Sequence, residues 1–190
     1  GIGNDTLSGG TGFDRLIESG AGAILLSNTQ FKSGAENNTI AQFEAATLTG
    51  SAGSDTFTLT GWTFPVSIDG LGGVNTIIDS GDGNFTLTET SLVRVIGVAT
   101  RTITLANIQN ATLTGGFGNN SFNLNGWSYP ATLSGGFGTD TFSVAGDADY
   151  TLGDAVLLRT GLGLLRLNGL ESATLTGGEG DNTFNISSWT

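Results

Sequence analysis

Seven side chains carrying oxygen recur in this chain at one place in a glycine-rich turn. Asp5, Asp14, Asp55 and Asp140 fill the place with a carboxylate, and Asn75, Asn120 and Asn182 fill it with an amide. Each closes a stretch such as GGTGF (9–13), GSAGS (50–54), GGFGN (115–119) or GGFGT (135–139). Glycines let a turn adopt conformations closed to other residues, and a carboxylate beside free carbonyl oxygens suits a hard cation. Ca²⁺ takes six to eight oxygens of mixed carbonyl and carboxylate origin. Where Asp55 stacks over Asn75, or Asn120 over Asp140, each pair offers one carboxylate, so such sites are expected to be weak. The same residue types have a second reading, because Asn and Asp favour turns and, stacked, form hydrogen-bonded ladders.

Other chemistry is sparse. The chain has no His and no Cys, which removes most nucleophile and base schemes. Its acids return with a period instead of converging, whereas general acid–base catalysis needs them together. No enzymatic activity is expected. Seventeen Asp and Glu against six Lys and Arg give a net charge of −11. The cations Arg15, Lys32, Arg94, Arg101, Arg159 and Arg166 are scattered, so neither nucleic acid nor membrane is an expected partner. Thr47 and Thr49, Thr112 and Thr114, and Thr174 and Thr176 form Thr-x-Thr pairs. They would make two outward hydroxyl columns suited to ice or glycan, or simply a solvated face of good strand formers. Trp62, Trp127 and Trp189 recur once per long repeat, either as an exposed row for sugars or as plugs at a corner.

The elements that position these residues follow from repetition. ATLTGSAGSDTFTLTGW (46–62), ATLTGGFGNNSFNLNGW (111–127) and ATLTGGEGDNTFNISSW (173–189) are near-copies, starting 65 and 62 residues apart. Within one copy the theme returns after twenty residues, from ATLTGGFGNNSF at 111 to ATLSGGFGTDTF at 131. A short fixed period rich in Gly, Asn and Thr marks stacked β coils. The prediction is an all-β fold: a right-handed parallel β-solenoid, β-helix or β-roll-like, of about nine rungs of roughly 18–27 residues. It would form a single continuous domain over 1–190. Three rung types alternate: A (46–65, 111–130, 173–190), B (1–20, 66–83, 131–149) and C (21–45, 84–110, 150–172). Side chains alternate along a strand. Leu48, Ile68, Leu113, Leu133 and Leu175 should therefore form one inward ladder, and Phe57, Ile77, Phe122, Phe142 and Phe184 a second. Leu59, Leu124, Val144 and Ile186 continue the second two residues later. Type C lacks the Gly-rich turn and is expected to form a hairpin-like excursion on a separate face.

GGFGTDTFS (135–143) and GGTGFDRLI (9–17) match the nonapeptide G-G-x-G-x-D-x-U-x, with GIGNDTLS (1–8) a near-match before the second. This resembles the RTX (haemolysin-type) calcium-binding repeat, which implies Ca²⁺ held between stacked turns by the Asp and backbone carbonyls. FTLTETSL (85–92), ANIQNATLTGGFGNN (106–120) and LNGLESATLTGGEGDN (167–182) resemble β-strand repeats of very large bacterial extracellular proteins. That resemblance implies a secreted or cell-surface location and a role in adhesion, matrix or stalk. With no initiator Met, the chain reads as an excised or mature segment. It ends in phase with its beginning and shows no capping element, so the expected partner is a further copy or continuation, stacked end to end. A surface glycan is the second expected partner.

Overall fold

The computed structural model describes residues 3–190, in strands and turns with no helix among them. The first two residues of the near-match at 1–8 lie outside the described part. The first super-repeat supplies β1 (Thr6–Ser8), β2 (Arg15–Ser19), β3 (Ala23–Ser27), β4 (Gln30–Ser33), β5 (Glu36–Ala41), β6 (Ala45–Thr49) and β7 (Thr56–Thr58). The second supplies β8 (Val66–Asp69), β9 (Thr76–Ser80), β10 (Asn84–Thr88), β11 (Ser91–Ile96), β12 (Ala99–Ala106), β13 (Asn110–Thr114) and β14 (Ser121–Asn123). The third supplies β15 (Ala131–Ser134), β16 (Thr141–Ala145), β17 (Tyr150–Gly153), β18 (Val156–Arg159), β19 (Leu165–Asn168), β20 (Ser172–Thr176) and β21 (Phe184–Ser188). Rungs of types A and B thus fold as two strands and rungs of type C as three, seven strands to each super-repeat.

The chain packs as two compact units, residues 1–80 with 101–110 and residues 81–100 with 111–190. In the first, one sheet runs β1-β5-β4-β3-β7-β9 and the other β2-β6-β8-β12. In the second, the sheets run β13-β15-β19-β18-β17-β21 and β11-β10-β14-β16-β20. Rungs pair with rungs in parallel, and like stacks on like. In the first unit Leu48 lies opposite Ile68 and Phe57 opposite Ile77. In the second, Ala111 lies opposite Ala131, Leu113 opposite Leu133 and Phe122 opposite Phe142. Because the three type C strands share one sheet, each super-repeat changes sheet five times, an odd number, and successive rungs of one type begin in opposite sheets: within the second unit, the type A rungs open with β13 in one sheet and β20 in the other.

All of these stacked residues are buried, together with Leu59, Leu124 and Val144. Burying each large one stabilises by roughly 1.5–3 kcal/mol against leaving it exposed. The inward ladders fail at the last rung, however. Leu175 is half-buried, while Phe184 and Ile186 are 45% and 56% exposed. β20 pairs with β16 alone and β21 with β17 alone, so nothing described covers their other edge.

Type C departs from the expected separate face. β3, β4 and β5 form an antiparallel meander within the first sheet, as do β17, β18 and β19 in the second unit. β10 and β11 pair in the same antiparallel way. The extra strand keeps the core continuous, because it lays an apolar residue across from an apolar residue. Leu26 faces Phe31, Leu87 faces Leu92 and Leu152 faces Leu157, all buried.

Candidate functional site

Two forms of Gly-rich turn hold six of the seven Asx side chains, all but Asp5, and they differ in hydrogen bonding. In the type A turns of Asp55 and Asn120 the residue after the first glycine donates its N–H back to the Asx. Ser51 N–H reaches Asp55 Oδ2 at 2.6 Å, and Gly116 N–H reaches Asn120 Oδ1 at 2.9 Å. The remaining side-chain atoms are also engaged. Asp55 Oδ1 accepts from Gly22 N–H at 2.5 Å, and Asn120 Nδ2 donates to the Gly83 carbonyl at 3.1 Å. The first glycine makes room for this, since a Cβ on Gly50 or Gly115 would overlap the Asx and the carbonyl of the next rung.

A second set of bonds ties one rung to the next. Asp55 N–H donates to Asn75 Oδ1 at 2.8 Å, and Asn75 N–H to Gln109 Oε1 at 2.9 Å. Asn120 N–H donates to Asp140 Oδ1 at 2.6 Å, and Asp140 N–H to Glu171 Oε2 at 2.7 Å. Likewise Asp14 N–H donates to Glu44 Oε2 and Asp5 N–H to Asn38 Oδ1, both at 2.9 Å. Each step needs one acceptor oxygen, which explains why Asp, Asn, Gln and Glu exchange freely along the ladder. Sequence inspection missed Asn38, Glu44, Gln109 and Glu171. For the last three a signal was present: each immediately precedes the opening strand of a type A rung, β6, β13 or β20.

Type B turns place a left-handed residue after the first glycine: Gly10 at φ 94°, Leu71 at 58° and Gly136 at 100°. Here the second side-chain atom of the Asx faces acceptors. Asn75 meets them with a donor, its Nδ2 giving 2.9 Å bonds to the carbonyls of Gly72 and Asn107. Asp140 fills the same position with Oδ2, buried and without a hydrogen-bond partner among the described residues. Asp14 Oδ2 is in the same state.

These facts test the calcium expectation position by position. An ion held between Asp55 and Asn75, or between Asn120 and Asp140, does not fit, because a backbone N–H bridges each interval. Asp55, Asn75 and Asn120 have committed their side-chain atoms to hydrogen bonds. Asn182 is half-buried and donates Nδ2 to Asp147 Oδ1 at 2.8 Å, while Asp5 is exposed in the first unit. No group of three or more Asp and Glu suited to a metal occurs among the described residues. Among the described residues, Oδ2 of Asp14 and Oδ2 of Asp140 remain buried without a hydrogen-bond partner.

The remaining candidate surfaces change character. Trp62 and Trp127 are 1% and 2% exposed, and Trp189 is half-buried with its ring edge-on to Phe142. An exposed row for sugars does not exist; the indoles plug corners. A type C arginine clamps each of the two buried ones. Arg101 donates Nη1 to the Trp62 carbonyl at 2.5 Å and is ion-paired with Asp79. Arg159 donates to the carbonyls of Trp127 at 2.8 Å, Tyr129 at 3.1 Å and Gly163 at 2.7 Å. Burial lowers the Arg159 pKa, opposed by nearby Tyr150, and burial raises that of Tyr150. The hydroxyl columns are broken as well. Thr132 is followed in register by Arg166 and Ser134 by Asn168 in the second unit, and Thr49 by Asp69 in the first. Comparison with protein-family models, curated protein sequences and solved structures finds no match to this chain.

Proposed function

We propose that this chain is an extracellular structural or adhesive repeat module, a right-handed parallel β-solenoid serving as a stiff rod or filament segment. The parallel register between the two-strand rungs supports this reading: inward residues recur opposite one another, as Leu113 with Leu133 and Phe122 with Phe142. Stacked coils of this kind share backbone hydrogen bonds along one axis and resist bending. The Asx ladder adds ties at Asp5, Asp14, Asp55, Asn75, Asn120 and Asp140, and the Arg–Trp clamps brace the chain beside them. Scarce cations and three buried arginines leave an acidic, hydroxyl-bearing surface, consistent with a spacer that does not adhere to polyanions.

Its partner is a further rung of the same kind on the open edges of β20 and β21. A cavity of about 430 Å³ there is lined by Leu152, Leu175, Phe184, Ile186 and Trp189. Within the second unit the equivalent type A strands β13 and β14 are covered by the type B strands β15 and β16. A second copy's type B rung is the complementary surface, a heterologous contact that need not close. Sedimentation velocity across a hundredfold concentration range tests it. The wild-type chain should grow into longer species, and Leu175→Lys, on an already half-exposed position, should remain monomeric. A wild-type chain that stays monomeric at every concentration rejects the filament reading.

A further inference from the structure

One rung breaks the repeat at two positions on the outside of the fold. The residue after the Asx is Thr or Ser at Thr6, Thr56, Thr76, Ser121, Thr141 and Thr183, but Arg15 follows Asp14. The residue before it is Asn4, Ser54, Val74, Asn119, Thr139 or Asp181, but Phe13 precedes Asp14. The core requires neither change, because Leu16 is the buried residue of β2 while Arg15 is exposed and Phe13 is 71% exposed. Where a self-consistent pattern is broken without a structural gain, the residues that break it point to a function.

Both residues line one cleft of about 180 Å³ in the first unit. It crosses the outer face of the sheet β2-β6-β8-β12. Ala45, opposite Arg15 in register, faces outward yet is 6% exposed, and so forms the floor. The far wall carries the exposed hydroxyl residues Ser67, Thr102 and Thr104, with Ser67 opposite Thr104 in register. Neighbouring strands lie about 4.8 Å apart, so roughly 14 Å separates β2 from β12. No Asp or Glu lines the cleft, although the chain has seventeen. The Arg15 guanidinium has neither a hydrogen-bond nor an ion-pair partner among the described residues.

We propose that this cleft binds a pyranose bearing a carboxylate, a hexuronic acid residue at a branch or end of an otherwise neutral glycan. The exposed Phe13 ring offers its face to the C–H surface of the sugar. Arg15 offers two parallel N–H donors to the carboxylate, and the three hydroxyls donate to and accept from those of the sugar. The volume falls below the roughly 300–1,000 Å³ of pockets for drug-sized ligands and suits a single ring. A densely charged polyuronate is excluded, because the net charge of −11 repels it. Such a site serves the adhesive side of the proposed function, on which it rests, and operates whether or not filaments grow.

Saturation-transfer NMR on the whole chain, titrated with methyl glucuronide or with methyl glucoside, tests this. It observes the sugar and so works on monomer and filament alike. The glucuronide should bind with a Kd of about 1 mM, and the glucoside, which lacks the carboxylate, about tenfold more weakly or worse. Arg15→Thr should remove the preference, and Phe13→Ser should weaken both sugars. Each variant installs a residue type that other rungs carry at the same place, as Thr56 and Ser54 do, so both should melt like the wild type. Arg166→Thr, in the second unit, should leave binding unchanged. Equal binding of the two sugars by the wild type, no saturable binding of the glucuronide up to about 20 mM, or Arg15→Thr keeping the preference overturns the proposal. So does Arg166→Thr losing as much as Arg15→Thr, since overall charge would then account for the binding. Filament growth is read by sedimentation and not by this titration, so either can fail while the other stands.

Discussion

A glycine five residues before every Asx but Asp5 sets aside the volume that the Asx side chain then fills, so glycines of similar appearance carry different burdens. Gly115 lies against Asn120 and the Gly135 carbonyl, and an added methyl has nowhere to go. Gly115→Ala should cost about 2–3 kcal/mol, the penalty of overpacking against backbone. Gly53 has only Ser51 Oγ near, at 3.6 Å, and no left-handed φ. Gly53→Ala should be neutral or stabilise by up to about 1 kcal/mol, and urea titration of the two variants separates the cases. Glu18 offers a pH test. Burial first, then repulsion from Glu36, raises its pKa above 4.5. A carboxyl with a raised folded-state pKa favours the fold when protonated, below its unfolded value, and that contribution is lost as pH rises through the folded value. Glu18→Gln should therefore melt higher than wild type at pH 7, with the gap closing toward pH 4. The Asx positions were legible in the sequence because their spacing is fixed. Their hydrogen-bond partners were harder to find, since Glu44, Gln109 and Glu171 come from another rung and carry different side chains, and only their shared place just before β6, β13 and β20 marks them.

Among the elements, the three-stranded type C meander departs furthest from the repeat and depends most on a single side chain. Arg159, in β18, satisfies the carbonyls of Trp127, Tyr129 and Gly163 from one guanidinium. Arg159→Ala leaves several buried acceptors unmatched and should destabilise by about 3 kcal/mol or more. Arg159→Lys should recover only part, because an ammonium cannot reproduce the planar fork. Chemical denaturation of both variants checks the order. The two-strand rungs were readable from the sequence, since inward residues recur in step: Leu48 with Ile68, Phe122 with Phe142. Type C was readable in part: a hairpin-like excursion was expected, but LLRTGLGLLRLNG gives no cue that β18 stays inside the sheet instead of forming a separate face. Antiparallel pairing there depends on cross-strand partners such as Leu152 and Leu157, and periodicity within one strand does not encode its neighbour's direction.

For the whole molecule, charge is less balanced than the composition suggests. Of six cations, Arg94, Arg101 and Arg159 are buried, so Arg15, Lys32 and Arg166 face most of the seventeen acids alone. Self-repulsion should weaken the fold at low ionic strength. Raising NaCl from 10 mM to about 150 mM, where screening reaches about 8 Å, should increase Tm, and no increase would mean the acids are already compensated. The odd number of sheet changes per super-repeat has an evolutionary consequence. Repeat arrays change length by unequal recombination, and gaining or losing one seven-strand unit shifts every later strand into the opposite sheet. A surface epitope downstream of the crossover would change sides. Two units restore the original side. Lineages in which one flank of such an array is under selection should therefore vary in steps of an even number of super-repeats, while lineages using the array only as a spacer should show no preference of parity.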